Sequence, residues 1–341
     1  MAGLTLTEMA KLSQRELEPG VLLNIANFDP ILSGGSTQSM NGATSVDEST
    51  DGSPRALPFI TVNGKTYDYV RENSRGTAHG WEAISGALTS SAMTFSEVSV
   101  TMRYFYDQVD VPNPLRDNYM GDSGNNIDQI ALRQALRRIA AQIADNIYYG
   151  SNSADADSPD GLHLSADSTM LVEENGNSAT SAALQFASLD TLLQDYMKFG
   201  ASLLIMPRIL RRRLAAASRS TTVSGTIDFN PNQLGQRAFY YDNTLVEISD
   251  YLVNTELYGS DGVFSAKTGG AASSVWAVKF GDTFLHGVQR NPGIQVEYFP
   301  RLEGSDDARW RFKWYLVPVV RKSIWAAGAV TNVDSATAII A

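Results

Sequence analysis

The sequence predicts an α+β fold dominated by one long helix and one long β-ribbon. Three observations carry that expectation. Asn126–Tyr149 reads as an uninterrupted helix, because Leu132, Leu136, Ile139, Ile143 and Ile147 recur at steps of four, three, four and four and form one apolar stripe. Phe95–Asp110 alternates like a single extended strand, far longer than ordinary strands of about six residues. Beyond Gly150 the chain passes from helix to strand to helix, which is α/β in character, and then ends in strands.

Taken in order, Thr5–Glu8 is a capping box opening a short helix. Val21–Leu32 is apolar and broken at Pro30. Ser33–Pro54 is Gly, Ser, Thr, Asn and Asp with almost no large apolar residue, so the first fifty-odd residues read as a flexible arm. Phe59–Val70 carries Asn63-Gly64 between β-branched and aromatic residues and predicts a hairpin with a type I′ turn. Arg71–Thr94 is small and polar, with Gly76, Gly80, Gly86 and a lone Trp81. In Phe95–Asp110, Val98, Val100, Met102, Tyr104 and Tyr106 are expected on one face. Two long strands joined by a soft tip make a projecting ribbon, and an isolated ribbon is marginal in water. It must lie on its own body or on a neighbour.

Pro112 and Pro114 end that strand. The helix at 126–149 has Asn126 as expected N-cap with Gln129 three residues on, and Gly150 as a left-handed stop. After the polar loop Ser151–Pro159, Ser188 is expected to cap a helix whose apolar face is Leu189, Leu192, Leu193 and Tyr196. Ser202–Met206 reads as a buried strand, and Pro207 starts an arginine-rich helix. A hairpin is expected around Asp242-Asn243, followed by strands at Ser274–Phe280, Ile294–Phe299 and Arg309–Lys322. In the last, Trp310, Phe312 and Trp314 should face a core.

Composition narrows the function classes. The 341 residues contain no cysteine, so disulfides, thiolate nucleophiles and zinc–cysteine sites are excluded. The N-terminus lacks the basic head and apolar run of a signal peptide, and no apolar run reaches the ~20 residues of a membrane span. A net charge of −10 argues against a surface that grips nucleic acid throughout. His79, His163 and His286 stand apart, without metal-ligand spacing. Asp155, Asp157 and Asp160-Gly161 hint at a calcium loop, but Pro159 and Ala166 occupy ligand positions, so an acidic turn is the better reading. Lys267-Thr268-Gly269 has no companion nucleophile motif. Phosphate loops, dinucleotide fingerprints and nucleophile elbows are absent. Arg208, Arg211, Arg212, Arg213 and Arg219, with Arg133, Arg137 and Arg138 on the long helix, make solvated faces or salt-bridging faces for acidic partners. No catalytic, cofactor-binding or metal residue is nominated.

The order of elements resembles the major capsid proteins of tailed phages, with their Hong Kong 97-type fold. The local residues that carry the resemblance are Asn63-Gly64-Lys65-Thr66-Tyr67-Asp68-Tyr69 before Arg71-Glu72, then Thr94-Phe95-Ser96-Glu97-Val98 and Asp160-Gly161-Leu162. The strand–proline–helix run Leu203–Arg213, and Phe280-Gly281 with His286-Gly287-Val288, are similar as well.

The resemblance implies an N-terminal arm (1–57), an extended loop or β-ribbon (58–110), and a peripheral domain (111–170) whose spine is the helix 126–149. It further implies an α/β axial domain (171–289), peripheral return strands (290–323) and a C-terminal segment (324–341). It implies a virion protein that assembles in the bacterial host cytoplasm into hexamers and pentamers. These would build an icosahedral head around double-stranded DNA, without sequence-specific binding and without a membrane. A separate scaffolding protein, a portal and a decoration protein are implied partners. Some members crosslink a ribbon lysine to an asparagine; Lys65 lies on the ribbon, but no matching partner is identified by motif. An encapsulin-like compartment shares the expected fold. An α/β hydrolase-like enzyme is the alternative from another class.

Overall fold

The computed structural model describes residues 29–33, 56–74, 94–114, 127–175, 179–217, 227–231, 237–259, 262–290 and 293–340. The capping box at Thr5–Glu8, Asn126, His79, Trp81, Arg219 and the expected ribbon tip at 75–93 lie outside them.

In chain order, α1 (Pro30–Ser33) precedes β1 (Phe59–Val62), β2 (Thr66–Ser74), β3 (Thr94–Thr101) and β4 (Arg103–Pro112). The long helix is α2 (Ile127–Tyr149), followed by α3 (Leu162–Ser165), β5 (Leu171–Glu173) and β6 (Ala182–Ala183). Then come α4 (Phe186–Asp190), β7 (Leu203–Met206), α5 (Arg208–Ala217), β8 (Ile227–Pro231), β9 (Arg237–Tyr241) and β10 (Thr244–Ile248). The chain closes with β11 (Leu257–Tyr258), β12 (Phe264–Ala266), β13 (Ala272–Val278), β14 (Leu285–Arg290), β15 (Gln295–Phe299), β16 (Asp307–Arg321) and β17 (Ala327–Asp334).

The first sheet is organised on β16. Strand β4 pairs along one edge, from Asp307↔Pro112 to Leu316↔Arg103, while β15 and β14 pair along the other. Alternation gives this sheet an inner and an outer face. Trp310, Phe312, Trp314 and Leu316 point inward, under the α2 stripe of Ala135, Ile139, Ile143 and Ile147. Burying side chains of this size stabilises by about 1.5–3 kcal/mol each.

Two expectations fail here for one reason. Phe59–Val70 does not fold as a hairpin at Asn63-Gly64. Instead β1 runs parallel to β14, from Phe59↔Gly287 to Val62↔Arg290, and β2 pairs with β3. The Phe59 ring lies on the bare Cα of Gly287, where a Cβ would stand 2.5 Å from it, and packs 5.7 Å from the Trp314 ring. Burial of an aromatic ring on the body outweighs a local two-residue turn. The long strand also breaks at Met102. Its amide donates to the Lys65 carbonyl at 2.8 Å, and its side chain sinks among Val288, Val317 and Val320. One residue out of register inverts the alternation. Val98 and Val100 turn toward the body, but Tyr104 and Tyr106 turn to solvent instead of sharing that face.

The second sheet has eight strands in the order β5-β17-β13-β7-β10-β9-β8, with β6 also on β17. Both faces are covered. Leu203, Ile205, Trp276, Val278 and Ala329 join the core of the first sheet. Leu204, Met206, Val275, Ala277 and Val330 meet Leu189 and Leu192 of the α4 region and Leu210 and Leu214 of α5. Strand β17 falls in the stretch expected as a terminal segment, yet it lies between β13 and β5 and supplies both cores. Strand β14, expected at the end of the axial stretch, belongs to the first sheet. The hairpin at Asp242-Asn243 forms with φ of 45° and 59°, as its type I′ chemistry requires.

Three smaller corrections follow from packing. Gly150 is not in the left-handed region. It ends α2 because a Cβ there would lie 2.3 Å from the Pro159 carbonyl oxygen, while its own carbonyl accepts from the Gly161 amide at 2.8 Å. Ser188 is not a cap: α4 begins at Phe186 after Gln185 and continues as a π-turn through Tyr196. Finally, the arm is tied in at Asp29. The Asp29 carboxylate caps α1 by accepting from the Ile31 amide at 2.9 Å, Pro30 takes the first helical position, and Ile31 and Leu32 enter the main core.

Candidate assembly surfaces

The ribbon is β2 on β3, in register from Thr66↔Thr101 to Ser74↔Thr94. Its inner row is Tyr67, Tyr69, Val98 and Val100, of which Tyr67, Tyr69 and Val100 rest on Met102, Val288, Val317 and Val320. The Tyr67 and Tyr69 rings stack at 5.6 Å, with the Lys322 ammonium 5.7 Å from the Tyr67 ring centre. Beneath Tyr67 lies His286, edge-on at 6.0 Å. Burial, helped by the Lys322 charge, pushes the His286 pKa down to about 4, so it is a neutral core ring. The outer row is different. Asp68 and Glu97 are exposed there, and Val70 and Phe95 keep 61% and 58% of their surface in solvent. The root of the ribbon therefore leans on its own chain, while its outer face offers apolar groups to solvent.

The outer face of the first sheet is a second such surface. Tyr104 and Tyr106 stack at 5.6 Å, Tyr315 joins at 4.9 Å, and Arg290 lies 5.4 Å over the Tyr315 ring. Tyr106 is 60% exposed. Arg311 covers Phe299 at 5.2 Å, Arg309 grips Asp110 at 2.6 and 2.7 Å, and Lys313 pairs with Glu297 at 2.5 Å. The Arg309 hydrogen bond holds the Asp110 carboxyl below the ordinary range. This face carries Arg290, Arg309, Arg311 and Lys313 against Asp110 and Glu297, a cationic aromatic surface on a chain of net charge −10.

The arginines singled out in the sequence divide. Arg138 reaches Asp107 at 3.0 Å, Arg208 clamps Asp250 at 2.8 Å, Arg213 donates to the Ala336 carbonyl at 2.6 Å, and Arg211 covers Phe239. Arg133, Arg137 and Arg212 face solvent. The exposed foot of the ribbon at Lys65 meets Met102 through its backbone. In the acidic turn, Asp160 accepts from the Asn152 amide at 2.8 Å and Asp155 from the Asp157 amide at 3.0 Å. Lys267 pairs with Asp145.

His163 is the centre of a buried network that the sequence did not disclose. Its ring lies between Tyr149 and Phe264, at 5.0 and 4.1 Å. Glu256 accepts from Tyr149 at 2.6 Å, Tyr258 at 2.8 Å and Ser274 at 2.9 Å, and pairs with His163 at 3.3 Å. Burial first, and then the Glu256 charge, drive the Tyr149 and Tyr258 hydroxyls upward, so both remain donors. Ser274 and Glu256 both approach the same His163 nitrogen, Nε2. A nucleophile relay places them on opposite ring nitrogens, so this is a structural tie between α2, α3 and β13. A second tie is Asp29, which accepts from Tyr148 at 2.9 Å and Ser249 at 2.5 Å. Its signal was legible: a lone acid before proline inside an apolar run.

No protein-family model and no curated protein sequence matches the chain. Solved structures do. An encapsulin of Synechococcus elongatus PCC 7942 in its holo complex is 13% identical, over 90% of this chain and 97% of its own, with a TM-score of 0.61. The capsid protein of Cyanophage A-1(L) is 14% identical, over 81% and 90%, with a TM-score of 0.55. The capsid of a native GTA particle is 14% identical, over 87% and 99%, with a TM-score of 0.51. The chain therefore has the Hong Kong 97-type fold. Among the described residues no helix is long and apolar enough to cross a membrane.

Proposed function

We propose that the chain is a structural shell subunit, the major capsid protein of a tailed phage. Copies would join as hexamers and pentamers of an icosahedral head that encloses double-stranded DNA without reading its sequence. The observation that carries this reading is the ribbon's outer face. Val70 and Phe95 lie open on the outer face of a two-stranded ribbon whose inner face is seated on the body. In a shell such a surface is covered by a neighbouring copy, and the sheet face of Tyr104 and Tyr106 is a second area of the same kind. Modest contacts repeated around a closed assembly stabilise it without any single strong one. A separate scaffolding protein, a portal and a decoration protein complete the reading, with the virion as location.

Limited proteolysis between Arg71 and Thr94 tests it. Cleavage should be rapid in free subunits and slowed at least tenfold in particles, where opening is limited by the assembly. Equal rates sink the proposal. The encapsulin likeness, with its TM-score of 0.61, supports a second reading as a protein compartment. Particle contents separate the two: packaged double-stranded DNA for the head, a cargo protein for the compartment.

A further inference from the structure

The solvent face of α2 carries charge that the helix itself does not use. Residues 129–144 include Arg133, Arg137 and Arg138 and no acid, on a chain with 37 acidic and 27 basic side chains. Arginines that stabilise their own helix have Glu or Asp four residues away. Here Arg133 has Gln129 and Arg137 at those positions, Arg137 has Arg133 and Ala141, and Arg138 has Gln134 and Gln142. The Arg133–Arg137 pair is a like-charge pair one turn apart, which costs helix stability. All three arginines are exposed, with Gln134 and Gln142 beside them. Arg138 is held by Asp107 at 3.0 Å, with its side chain still 61% exposed. No carboxylate and no ring among the described residues meets Arg133 or Arg137. Cations on other surfaces are engaged: Arg309 by Asp110, Lys313 by Glu297, Arg208 by Asp250, Arg311 over Phe299 and Arg290 over Tyr315.

The neighbours of these arginines decide the kind of partner. A surface that docks a protein has apolar anchors at its centre. The ribbon's outer face has Val70 and Phe95, and the outer sheet face has Tyr104 and Tyr106. Among the described residues no large apolar side chain of α2 is exposed. A face that is cationic and polar throughout fits a phosphodiester backbone. The planar guanidinium fork matches phosphoryl oxygens, and glutamine adds neutral donors. We propose that the solvent face of α2, through Arg133, Arg137 and Arg138, is where the subunit meets the phosphate backbone of double-stranded DNA. This rests on the shell reading and adds a direction to it. The α2 side of the first sheet faces the enclosed DNA, and Tyr104, Tyr106 and Tyr315 lie on the opposite side. Each subunit makes about two or three phosphate contacts, which carry no sequence information. They are weak singly and sum over the many copies of a shell. On a chain of net charge −10, a contact confined to one patch leaves the rest of the surface unattached.

Fluorescence anisotropy of a short labelled DNA duplex, titrated with the unassembled full chain at rising salt, tests this without reference to shell formation. Log affinity should fall with log salt at a slope of about −2 to −3, roughly one unit per arginine engaged. Arg133→Gln and Arg137→Gln should each reduce the slope by about one. The R133Q R137Q double variant should bind on the order of tenfold more weakly at the lowest salt, while its urea melt overlays that of the wild type. Arg133→Lys should keep the slope, because the charge is kept. Arg311→Gln, on the opposite side of the first sheet, should leave affinity and slope unchanged. Equal slopes for wild type and double variant overturn the proposal. So does binding of poly-glutamate without binding of duplex, which would assign the face to an acidic protein. Sedimentation keeps the two readings apart. Double-variant subunits that form particles in wild-type yield but have lost duplex binding support the α2 contact. Failure of the wild type to form particles counts against the shell reading, and the duplex titration still decides the contact.

Discussion

The two sheets are built on opposite plans. Strand β16 of the first sheet reads buried, half-buried, buried, half-buried along most of its length, with aromatics inside and cations outside. Strands β7 and β13 of the second sheet are buried at every position, and β17 at all but its last. The first sheet is covered by α2 on one face and leaves Tyr104, Tyr106 and Tyr315 outside. The second is closed on both faces, by the main core on one and by α4 and α5 on the other. The difference assigns roles: one sheet supplies rigidity, while the other supplies a surface. Antiparallel sheets that face solvent keep such alternation, and sheets covered on both faces lose it.

The largest effect that would break this contrast is at Trp276, fully buried in β13 and donating to Ser274 Oγ at 3.1 Å. Trp276→Ala should lower the unfolding free energy of the free subunit by about 3–5 kcal/mol in urea melts. A loss below about 1 kcal/mol would show that the second sheet is not closed on both faces.

A middle-sized effect sharpens the contrast at the seam, where Asp29 joins Tyr148 of α2 to Ser249 beyond β10. Burial raises the Asp29 pKa from 3.8 to about 6, against hydrogen bonds from Ser249, Ile31 and Tyr148 that oppose the rise. Between those two values the folded state holds a proton that the unfolded state has lost. The Asp29 contribution is therefore full below pH ~4 and is lost as pH rises through about 6, a swing of about 2–3 kcal/mol. Paired melts of wild type and Asp29→Asn across this range should diverge by that amount, with wild type gaining relative stability as pH falls. Parallel curves would show that the seam is hydrated.

The smallest effect on stability is at Tyr106. Tyr106→Ala should leave the free subunit within about 0.5 kcal/mol of wild type, as surface changes do. The same variant should depress particle yield in sedimentation. A large stability loss, or an unchanged yield, would remove the outer sheet face from the list of contact surfaces.

The elements legible in sequence were those with one wet side. The α2 stripe, the β16 aromatics and the Asp242-Asn243 turn declare themselves by period or by backbone chemistry. Strand β17 did not: Ala327-Gly328-Ala329-Val330 is small and apolar, without alternation, because both of its faces are covered. The ribbon was visible as length and alternation, but its pairing was not. Nothing near Asn63-Gly64 states that Phe59 will find Gly287 more than two hundred residues away. Likewise, Glu256, His163 and Ser274 converge from separate segments.

By itself the sequence determined the class of fold, the long helix, the extended strands around 66–112 and the absence of cysteine, since each depends on local period or on composition. Tertiary structure decided which face of the ribbon is seated, where the long strand breaks, and which charges are buried together. Those outcomes turn on contacts between distant segments, such as Met102 entering the Val288–Val317–Val320 cluster. One buried side chain of that kind outweighs the weak local preferences that would have kept the strand unbroken.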